Sequence, residues 1–173
     1  YYAVLDQVIA ITYDSTAAPN TVREIDDIDM GTSSLYKYTL PIGTSSATDS
    51  IVGSRENGTI YYTPSINILY NKLSRADQAE IKLLGATKTV IFAELNQQLG
   101  NGHNVIIAMG MVNGMELNAG TMDTGAAWGD KNGYTLNWDG MEQDPFAMMV
   151  DYTATPFDNA DGGAQIPINS TGL

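Results

Sequence analysis

The chain has 173 residues, and its 20 Asp and Glu residues outnumber its 8 Lys and Arg residues, so that its formal net charge is -12. The length corresponds to one ordinary domain. An acidic surface repels phosphate groups and anionic lipids. The charge therefore argues against a protein that binds nucleic acid or membranes electrostatically. The absence of cysteine excludes disulfides, thiolate metal sites and cysteine nucleophiles.

The composition favours a mainly β protein. Charged residues make up only 16% of the chain, compared with about 25% in an average soluble domain. The 10 tyrosines, 17 glycines and frequent threonines are typical of strands and tight turns rather than of exposed helices. A weakly charged surface also indicates that other protein chains cover part of it.

Strands dominate the predicted elements of the first half. Apolar residues alternate over Ala3 to Asp14, which predicts the first strand. The spacing over Val22 to Met30 fits either a short helix or a bulged strand. Alternation predicts further strands over Leu35 to Ile42 and over Thr59 to Tyr70. Between these two strands, Gly43 to Gly58 is rich in Gly, Ser, Thr, Asp and Asn, and we predict a polar loop that is longer than most connections.

One α-helix is predicted, from Arg75 to Leu84. Ser74 precedes it as an N-cap, with Asp77 three residues further on, and Gly85 is placed to end it. A helix of this length is marginal by itself, so we expect it to dock on a sheet.

The remaining elements are predicted strands. Lys88 to Gln97 is partly apolar on both faces, and Asn104 to Val112 is the most apolar strand of the chain. Asn-Gly turn signals follow both of them. Further strands are predicted over Met115 to Ala119, Gly133 to Trp138 and Phe146 to Tyr152.

The end of the chain has a different composition. An Asp139-Gly140 turn is predicted before the last strand. Thr153 to Leu173 is rich in Gly, Pro and Asn, and we predict an extended arm outside the core. The chain therefore divides into one β domain over residues 1–152 and an arm over residues 153–173. The expected fold is an antiparallel β-sandwich or half-open barrel with one flanking helix.

Few residues could carry catalysis. The single histidine, His103, lies in an Asn-Gly-His-Asn turn with no acid beside it in sequence, so we interpret it as a surface residue rather than a general base. The motifs of serine hydrolases, zinc proteases, phosphate-binding loops and dinucleotide-binding folds do not occur. We predict a protein that is not an enzyme and that needs no cofactor.

Two acidic clusters are candidate cation sites. The second cluster departs from a calcium loop because an alanine stands at its third position and no glutamate closes it. Both clusters are also explained as acidic surface that faces solvent or a channel, and we prefer this interpretation. We therefore predict no metal site. The clusters are Glu24, Asp26, Asp27 and Asp29, and Asp158 with Asp161.

Methionines and aromatic residues fit either core packing or a contact surface. Seven of the eight methionines lie in the later part of the chain, where they fill a core or supply an adaptable surface. Trp128 with Trp138, or Tyr61 with Tyr62, could stack on sugar, but we prefer sheet packing or interface anchors.

The late strands resemble those of a known family. The residues concerned are Gly129 to Trp138, then Asp139-Gly140-Met141-Glu142, then Asp144-Pro145-Phe146-Ala147. A Gly-rich turn, a strand, an acidic turn and a final strand entered by a proline resemble the closing strands of phage tail tube proteins. The likeness covers the C-terminal half at the level of pattern and the whole chain at the level of element order.

The resemblance implies a structural virion protein. Tail tube subunits form stacked hexameric rings in which the inner sheets join into a continuous barrel around a channel for DNA. The expected partners are copies of the same chain, and sheath, baseplate or tail-terminator proteins, with no membrane anchor. The expected location is the phage tail, and the bacterial cytoplasm during assembly. The negative charge would let DNA pass along an acidic lumen without adhering.

Three groups of site residues follow from the resemblance. A ring-stacking loop, inner-sheet strands that contact neighbouring subunits, and an arm that lies on a neighbour are each implied. They comprise Thr44, Ser45, Asp49, Ile51, Val52 and Arg55 for the loop; Val90, Phe92, Val105, Ile107 and Met109 for the inner strands; and Pro156, Phe157 and Ile166 for the arm.

Other functions fit the same composition. A capsid decoration or connector protein shares it, and a secreted β-sandwich that binds carbohydrate would use exposed Tyr and Trp. An enzyme that works with carboxylates alone, as glycosidases do, is disfavoured because no acid lies in an obviously apolar stretch.

Overall fold

Strands provide most of the regular structure. The computed structural model describes residues 1–14 and 24–169. These residues contain one α-helix, α1 Arg75–Leu84, and one 3₁₀ turn, Leu5–Gln7. The strands are β1 Tyr2–Val4, β2 Ala10–Tyr13, β3 Glu24–Asp29, β4 Leu35–Tyr36, β5 Ser46–Ser54, β6 Thr59–Asn71, β7 Thr89–Gln98, β8 Asn104–Met109, β9 Met115–Asp123, β10 Gly133–Gly140, β11 Ala147–Met149 and β12 Ile168–Asn169.

The strands join into one curved sheet. Its order is β2-β3-β11-β8-β7-β9-β10-β6-β5, with β1 on β7 and β4, and β12 on β4. All pairs are antiparallel except β11 with β3 and β12 with β4. The mainly β class and the single flanking helix are confirmed, although the sheet is mixed rather than wholly antiparallel.

Strand β8 and the first half of β7, Thr89 to Phe92, lie at the centre and are buried on both faces. Along β7, Val90 and Phe92 face one hydrophobic cluster and Ile91 faces the other. The first, the tail-side cluster, also contains Ile25, Leu35, Ile106, Phe157 and Ile166. The second, the helix-side cluster, contains Ile66, Ile68, Leu84, Val105, Ile107, Met109, Leu136 and Trp138.

The helix matches its prediction. The Ser74 hydroxyl accepts a hydrogen bond from the Asp77 backbone N–H at 3.1 Å, which is the expected N-cap. Leu84 is buried in the helix-side cluster. Burial of this residue anchors a helix that is too short to be stable by itself.

Strands β9, β10, β6 and β5 form one wall of the helix-side cluster, here called the four-stranded sheet. Leu136 of β10 pairs with Ile68 of β6 and with Gly120 of β9, and all three lie on the face toward the cluster. A single residue pair, Thr89 with Met115, joins this sheet to β7. The four-stranded sheet therefore lies over β7 and β8 as the second layer of a sandwich.

The predicted polar loop Gly43 to Gly58 is wrong over most of its length. Ser46–Ser54 is strand β5, which pairs with β6 through all nine of its residues. Neither face of the outer part of this strand is buried, so polar residues such as serine, threonine and aspartate occupy many of its positions. The strand therefore lacks the alternation of apolar residues by which the other strands were predicted. Pairing with a long neighbouring strand satisfies its backbone instead.

Several predicted strand limits are also wrong. The first strand is two short strands separated by the 3₁₀ turn, and Leu35 to Ile42 is a strand only at Leu35–Tyr36. The residues predicted to turn, Asp139 and Gly140, continue β10, and the last predicted strand shortens to Ala147–Met149. Val22 to Met30 was predicted as either a short helix or a bulged strand, and Glu24–Asp29 of this segment is strand β3. Residues 15–23 lie outside the described residues.

The predicted extended arm is wrong for residues 153–169. Phe157 and Ile166 are buried in the tail-side cluster of their own chain, and Ile168 pairs with Leu35. These apolar residues are too widely spaced for a helix or strand pattern, so the sequence suggested an arm. Residues 170–173 lie outside the described residues.

Candidate assembly surface

The outer half of the β5–β6 hairpin exposes apolar side chains. Ile51 and Ile60 are 72% and 67% exposed, and Val52 and Tyr61 are 36% and 37% exposed. The backbone of Tyr62 also pairs with Glu142 on its other side, so the hairpin is a two-stranded ribbon only beyond this level. A two-stranded ribbon alone is marginally stable in water. Exposed apolar clusters on a soluble protein typically mark contact sites.

Both faces of this ribbon carry apolar residues. Ile51 pairs with Tyr62, and Val52 pairs with Tyr61. Because directly paired residues share a face and neighbours alternate, Ile51, Tyr62 and Ile60 lie on one side, and Val52 and Tyr61 on the other. A partner on one side alone would leave the other side in water.

The other residues predicted for the stacking loop have local roles. The Thr44 hydroxyl donates to the Pro41 carbonyl at 2.8 Å, and the Ser45 hydroxyl accepts from the Leu69 N–H at 3.4 Å. Asp49 Oδ2 accepts from the Phe146 N–H at 3.0 Å. Arg55 is exposed in the turn of the hairpin. Thr44, Ser45 and Asp49 therefore fix the hairpin to the domain, whereas Ile51, Val52 and Arg55 extend beyond it.

The four-stranded sheet has two edges that are unpaired among the described residues. Strand β5 pairs only with β6, and its opposite edge has no strand beside it within residues 1–14 and 24–169. Strand β9 pairs with β10 along its length but meets β7 only at Met115. Residues 117–123 therefore also present an edge that no described strand covers. Unpaired edges of this length readily pair with another chain.

The face of the four-stranded sheet that points away from the core is mainly polar. No Lys or Arg occurs within its strands on this face, according to the register. Lys131, in the loop before β10, donates to the Thr135 hydroxyl, and Lys88 pairs with Glu116 at 3.3 Å at the other end. Leu69, which pairs with Thr135, also lies on this face, as do Val52 and Tyr61 of the hairpin. Most of its other residues have hydroxyl or amide side chains, with a few acids: Ser46, Thr48, Ser65, Asn67, Thr121, Asp123, Thr135, Asn137 and Asp139.

The predicted inner-sheet residues do not lie on a contact surface. All five are buried, and β7 and β8 have their own-chain strands beside them. They are therefore core residues of the single chain. The prediction was wrong because alternating apolar residues indicate that a strand is buried but not whether its own chain or a neighbouring chain buries it. They are Val90 and Phe92 in the tail-side cluster and Val105, Ile107 and Met109 in the helix-side cluster.

The predicted arm contacts lie on the same chain. The Phe157 ring packs edge-to-face against Tyr1 and Phe92, with centroids 5.1 and 5.2 Å away. Ile166 is buried beside them, and Pro156 is half-buried. The prediction that these residues contact a neighbouring subunit is therefore wrong for Phe157 and Ile166, which are buried within their own chain.

His103 and Asp158 hold the C-terminal segment. His103 Nε2 lies 3.0 Å from the Thr153 carbonyl oxygen, and its ring centroid is 4.7 Å from that of Tyr152. Asp158 accepts from the N–H groups of Thr153, Ala154 and Thr155 and from the Thr153 hydroxyl at 2.8 Å. Burial raises the pKa of Asp158, but these hydrogen bonds outweigh it and lower the pKa to about 2.

In the described part of the chain, no three acidic or histidine side chains lie close enough together to hold a metal ion. Asp27 Oδ1 accepts from the Gly162 N–H at 2.6 Å, and Asp29 Oδ1 accepts from the Gly31 N–H at 2.9 Å. These two carboxylates therefore serve as acceptors for nearby turns. Asp161 has a positive φ of 56° in the tail.

The aromatic pairs separate. Trp128 is fully exposed in the loop between β9 and β10, whereas Trp138 is 4% exposed in the helix-side cluster. Tyr61 and Tyr62 point to opposite faces of their strand. None of these pairs forms the flat platform that a sugar ring requires.

Sequence reasoning missed the edge of β9. The alternation of Met115, Leu117 and Ala119 suggested a strand that ended near Ala119, but β9 continues to Asp123. Its outer residues are exposed on both faces, so no apolar period marks them. The run of small and polar residues Asn118 to Thr121 is the only local signal, and it is equally typical of a loop.

Comparisons with protein-family models, with curated proteins and with solved structures find no match for this chain. Within the residues that the structure describes, no helix is both long enough and apolar enough to cross a membrane.

Proposed function

We propose that the chain is a ring-forming structural subunit of the phage tail tube type. The observation that carries this proposal is the four-stranded sheet with two edges that no strand of the described residues covers, β5 on one side and β9 on the other. Pairing β5 of one copy with β9 of the next continues the sheet, and closure of a ring removes every such edge.

Strand directions support this pairing. Each neighbouring pair within the four-stranded sheet is antiparallel, so β5 and β9 of one copy run in opposite directions. Rotation about a ring axis does not change these directions. The junction between copies is therefore antiparallel as well. Because each copy contributes four strands, an even number, every neighbouring pair of strands around the barrel is antiparallel.

The polar face supports a channel function. In such a barrel the helix-side cluster lies outside the sheet, so the face with Thr135, Asn137 and Asp139 lines the lumen. Neutral hydroxyls and amides with a few carboxylates offer DNA phosphates few cations to bind. DNA would therefore pass without adhering.

The hairpin supports stacking of rings. Its outer half extends beyond the core and has apolar residues on both faces, as a segment inserted between two neighbours requires. The hexameric ring number, the phage-tail location and the sheath, baseplate or terminator partners follow from the family resemblance and belong to the same proposal.

The assembly state tests the proposal directly. Negative-stain microscopy and light scattering of the purified protein should show rings or tubes. The double variant Ile51→Ser/Ile60→Ser should form rings that do not stack, whereas Ile9→Ser, another exposed isoleucine, should assemble normally. A monomer at high protein concentration that is unaffected by salt would overturn the proposal.

A further inference from the structure

Four Asn-Gly pairs occur in the chain, and the structure places them in different surroundings. Such a pair can react with itself, because the backbone nitrogen of the glycine can attack the side-chain carbonyl carbon of the asparagine. The glycine favours this attack because it has no Cβ to hinder a close approach. The reaction needs a carboxamide that can turn and a glycine nitrogen that can move, so the fold decides which pairs react. The pairs are Asn57-Gly58, Asn101-Gly102, Asn113-Gly114 and Asn132-Gly133.

The Asn101 pair is held at both reacting groups. Asn101 Nδ2 donates to the Tyr152 carbonyl at 3.1 Å, and Asn101 Oδ1 accepts from the His103 N–H at 3.0 Å. The Gly102 N–H donates to the Leu99 carbonyl at 3.0 Å. An attack would break all three hydrogen bonds.

The Asn113 and Asn132 pairs each contain a buried glycine. Asn113 Nδ2 also donates to the Met141 carbonyl at 2.7 Å, and Gly114 is buried. Asn132 is exposed, but Gly133 is buried at the start of β10, where it pairs with both β6 and β9. Neither glycine nitrogen can approach its asparagine unless the packed backbone around it moves.

The Asn57 pair lacks these restraints. It lies in the turn of the β5–β6 hairpin, where both of its residues are exposed. The Asn57 backbone N–H donates to the Ser54 hydroxyl at 3.3 Å, but its carboxamide has no hydrogen-bond partner among the described residues. The Gly58 N–H makes no backbone hydrogen bond among them either, and nothing lies within 4 Å of the position of a Gly58 Cβ. Exposed backbone with so few contacts opens at little cost in free energy.

We propose that Asn57 is a site of spontaneous deamidation. The Gly58 nitrogen forms a bond to Asn57 Cγ, the Cγ–Nδ2 bond breaks, and the Gly58 amide proton leaves with the side-chain nitrogen as ammonia. Water then opens the resulting succinimide ring. Opening at Cγ gives aspartate, and opening at the backbone carbonyl gives isoaspartate, in which the chain continues through the former side chain. The sequence of steps consumes one water, releases one ammonia and changes no oxidation state.

The modification changes the tip of the hairpin. Either product adds a carboxylate next to Glu56, so that two negative charges then accompany the positive charge of Arg55 in this turn. Isoaspartate also lengthens the backbone by one carbon, which alters the geometry of the turn. The reaction requires only the folded chain and water, so the proposal does not depend on the formation of rings.

Peptide mapping of the folded protein tests the site. Trypsin cuts after Arg55 and after Lys72, so Asn57 lies in a peptide that contains none of the other three pairs. During incubation of the purified protein in warm, mildly alkaline buffer, this peptide should gain the mass increase of deamidation several-fold faster than the peptides with the other pairs. A sample digested without incubation corrects for deamidation during digestion. Conversion at any other pair as fast as at Asn57 would overturn the proposal.

The denatured chain is the matched control for the role of the fold. In concentrated urea the four pairs share the same dipeptide and have none of the restraints described above. Their conversion rates should therefore differ much less than in the folded protein. An equally large excess at Asn57 in urea would show that the flanking sequence, and not the fold, selects this site.

The variant Asn57→Gln provides a second measurement at the same exposed position. Glutamine would have to close a larger ring, so its deamidation is much slower. Isoelectric focusing of the incubated wild-type chain should show an early species with one additional negative charge, and this species should be missing from the variant. Its appearance in Asn57→Gln at the wild-type rate would contradict the assignment to Asn57.

Discussion

Ile106 and Ile107 are adjacent in β8, yet their side chains are buried in different hydrophobic clusters. Ile106 lies in the tail-side cluster and Ile107 in the helix-side cluster. Successive residues of a strand point to opposite faces, so this one strand supports both layers of the molecule. A change at either position therefore tests one layer separately.

We expect Ile107→Asp to prevent folding, because the change buries an unpaired charge in the helix-side cluster. Ile107→Ala should fold but lose about 2–5 kcal/mol of unfolding free energy. Ile51→Asp, at an exposed isoleucine of the hairpin, is the matched control and should retain the fold. Circular dichroism and urea titration measure both effects; a stable Ile107→Asp protein would remove β8 from the core.

Gly133 is expected to be irreplaceable. A Cβ atom at this position would lie 2.0 Å from the Tyr70 carbonyl oxygen, so Gly133→Ala must displace backbone where β10 begins. We expect a loss of at least about 3 kcal/mol. Gly129→Ala, with nothing within 4 Å of its Cβ, should change stability by less than about 0.5 kcal/mol. Equal melting temperatures of the two variants would contradict this close approach.

The buried carboxylate of Glu142 should stabilise the turn between β8 and β9. Its Oε1 accepts from the N–H groups of Val112 and Asn113, at 3.3 and 2.9 Å. Glu142→Ala leaves both donors unsatisfied and should cost about 2 kcal/mol, whereas Glu142→Gln keeps an oxygen acceptor and should cost less. Denaturant unfolding of the two variants provides the comparison, and the reverse order would show that packing dominates.

Asp158 should make the attachment of the C-terminal segment sensitive to acid. Its pKa is about 2 in the fold, compared with 3.8 for an ordinary aspartate, so the folded state favours the carboxylate. The resulting stabilisation is present above about pH 4 and is lost as the pH falls from about 4 to about 2. We expect Asp158→Asn to lose about 1 kcal/mol at pH 7, since the carboxylate is largely screened by solvent.

The measurement for Asp158 is a difference. Unfolding free energies of the wild-type chain and of Asp158→Asn should differ at pH 7 and converge toward pH 2. The comparison removes the contribution of the other carboxylates that titrate in the same range. A difference that stays constant with pH would show that the amide disturbs packing rather than charge.

The site was only partly accessible from the sequence. Ile51 and Val52 were predicted to contact a neighbouring subunit, and that contact stays a prediction; the structure shows that both are exposed and that they lie in a strand rather than in a loop. Val105 and Ile107 were assigned to a neighbour and instead fill the core of their own chain. The edge of β9 gave no apolar signal, because residues exposed on both faces of a strand have no buried side to impose a period.

The sequence by itself determined the elements whose signals are local. The capping pair of Ser74 and Asp77 marked the helix, and the alternation of Val105, Ile107 and Met109 marked a buried strand. Only the tertiary structure decided which edges stay open and which apolar residues meet within the chain. The pairing of β5 with β6 and the packing of Ile166 in the tail-side cluster both depend on contacts that no local pattern shows. The periodicity of apolar residues indicates only that one face of an element is buried, and it does not indicate what buries that face.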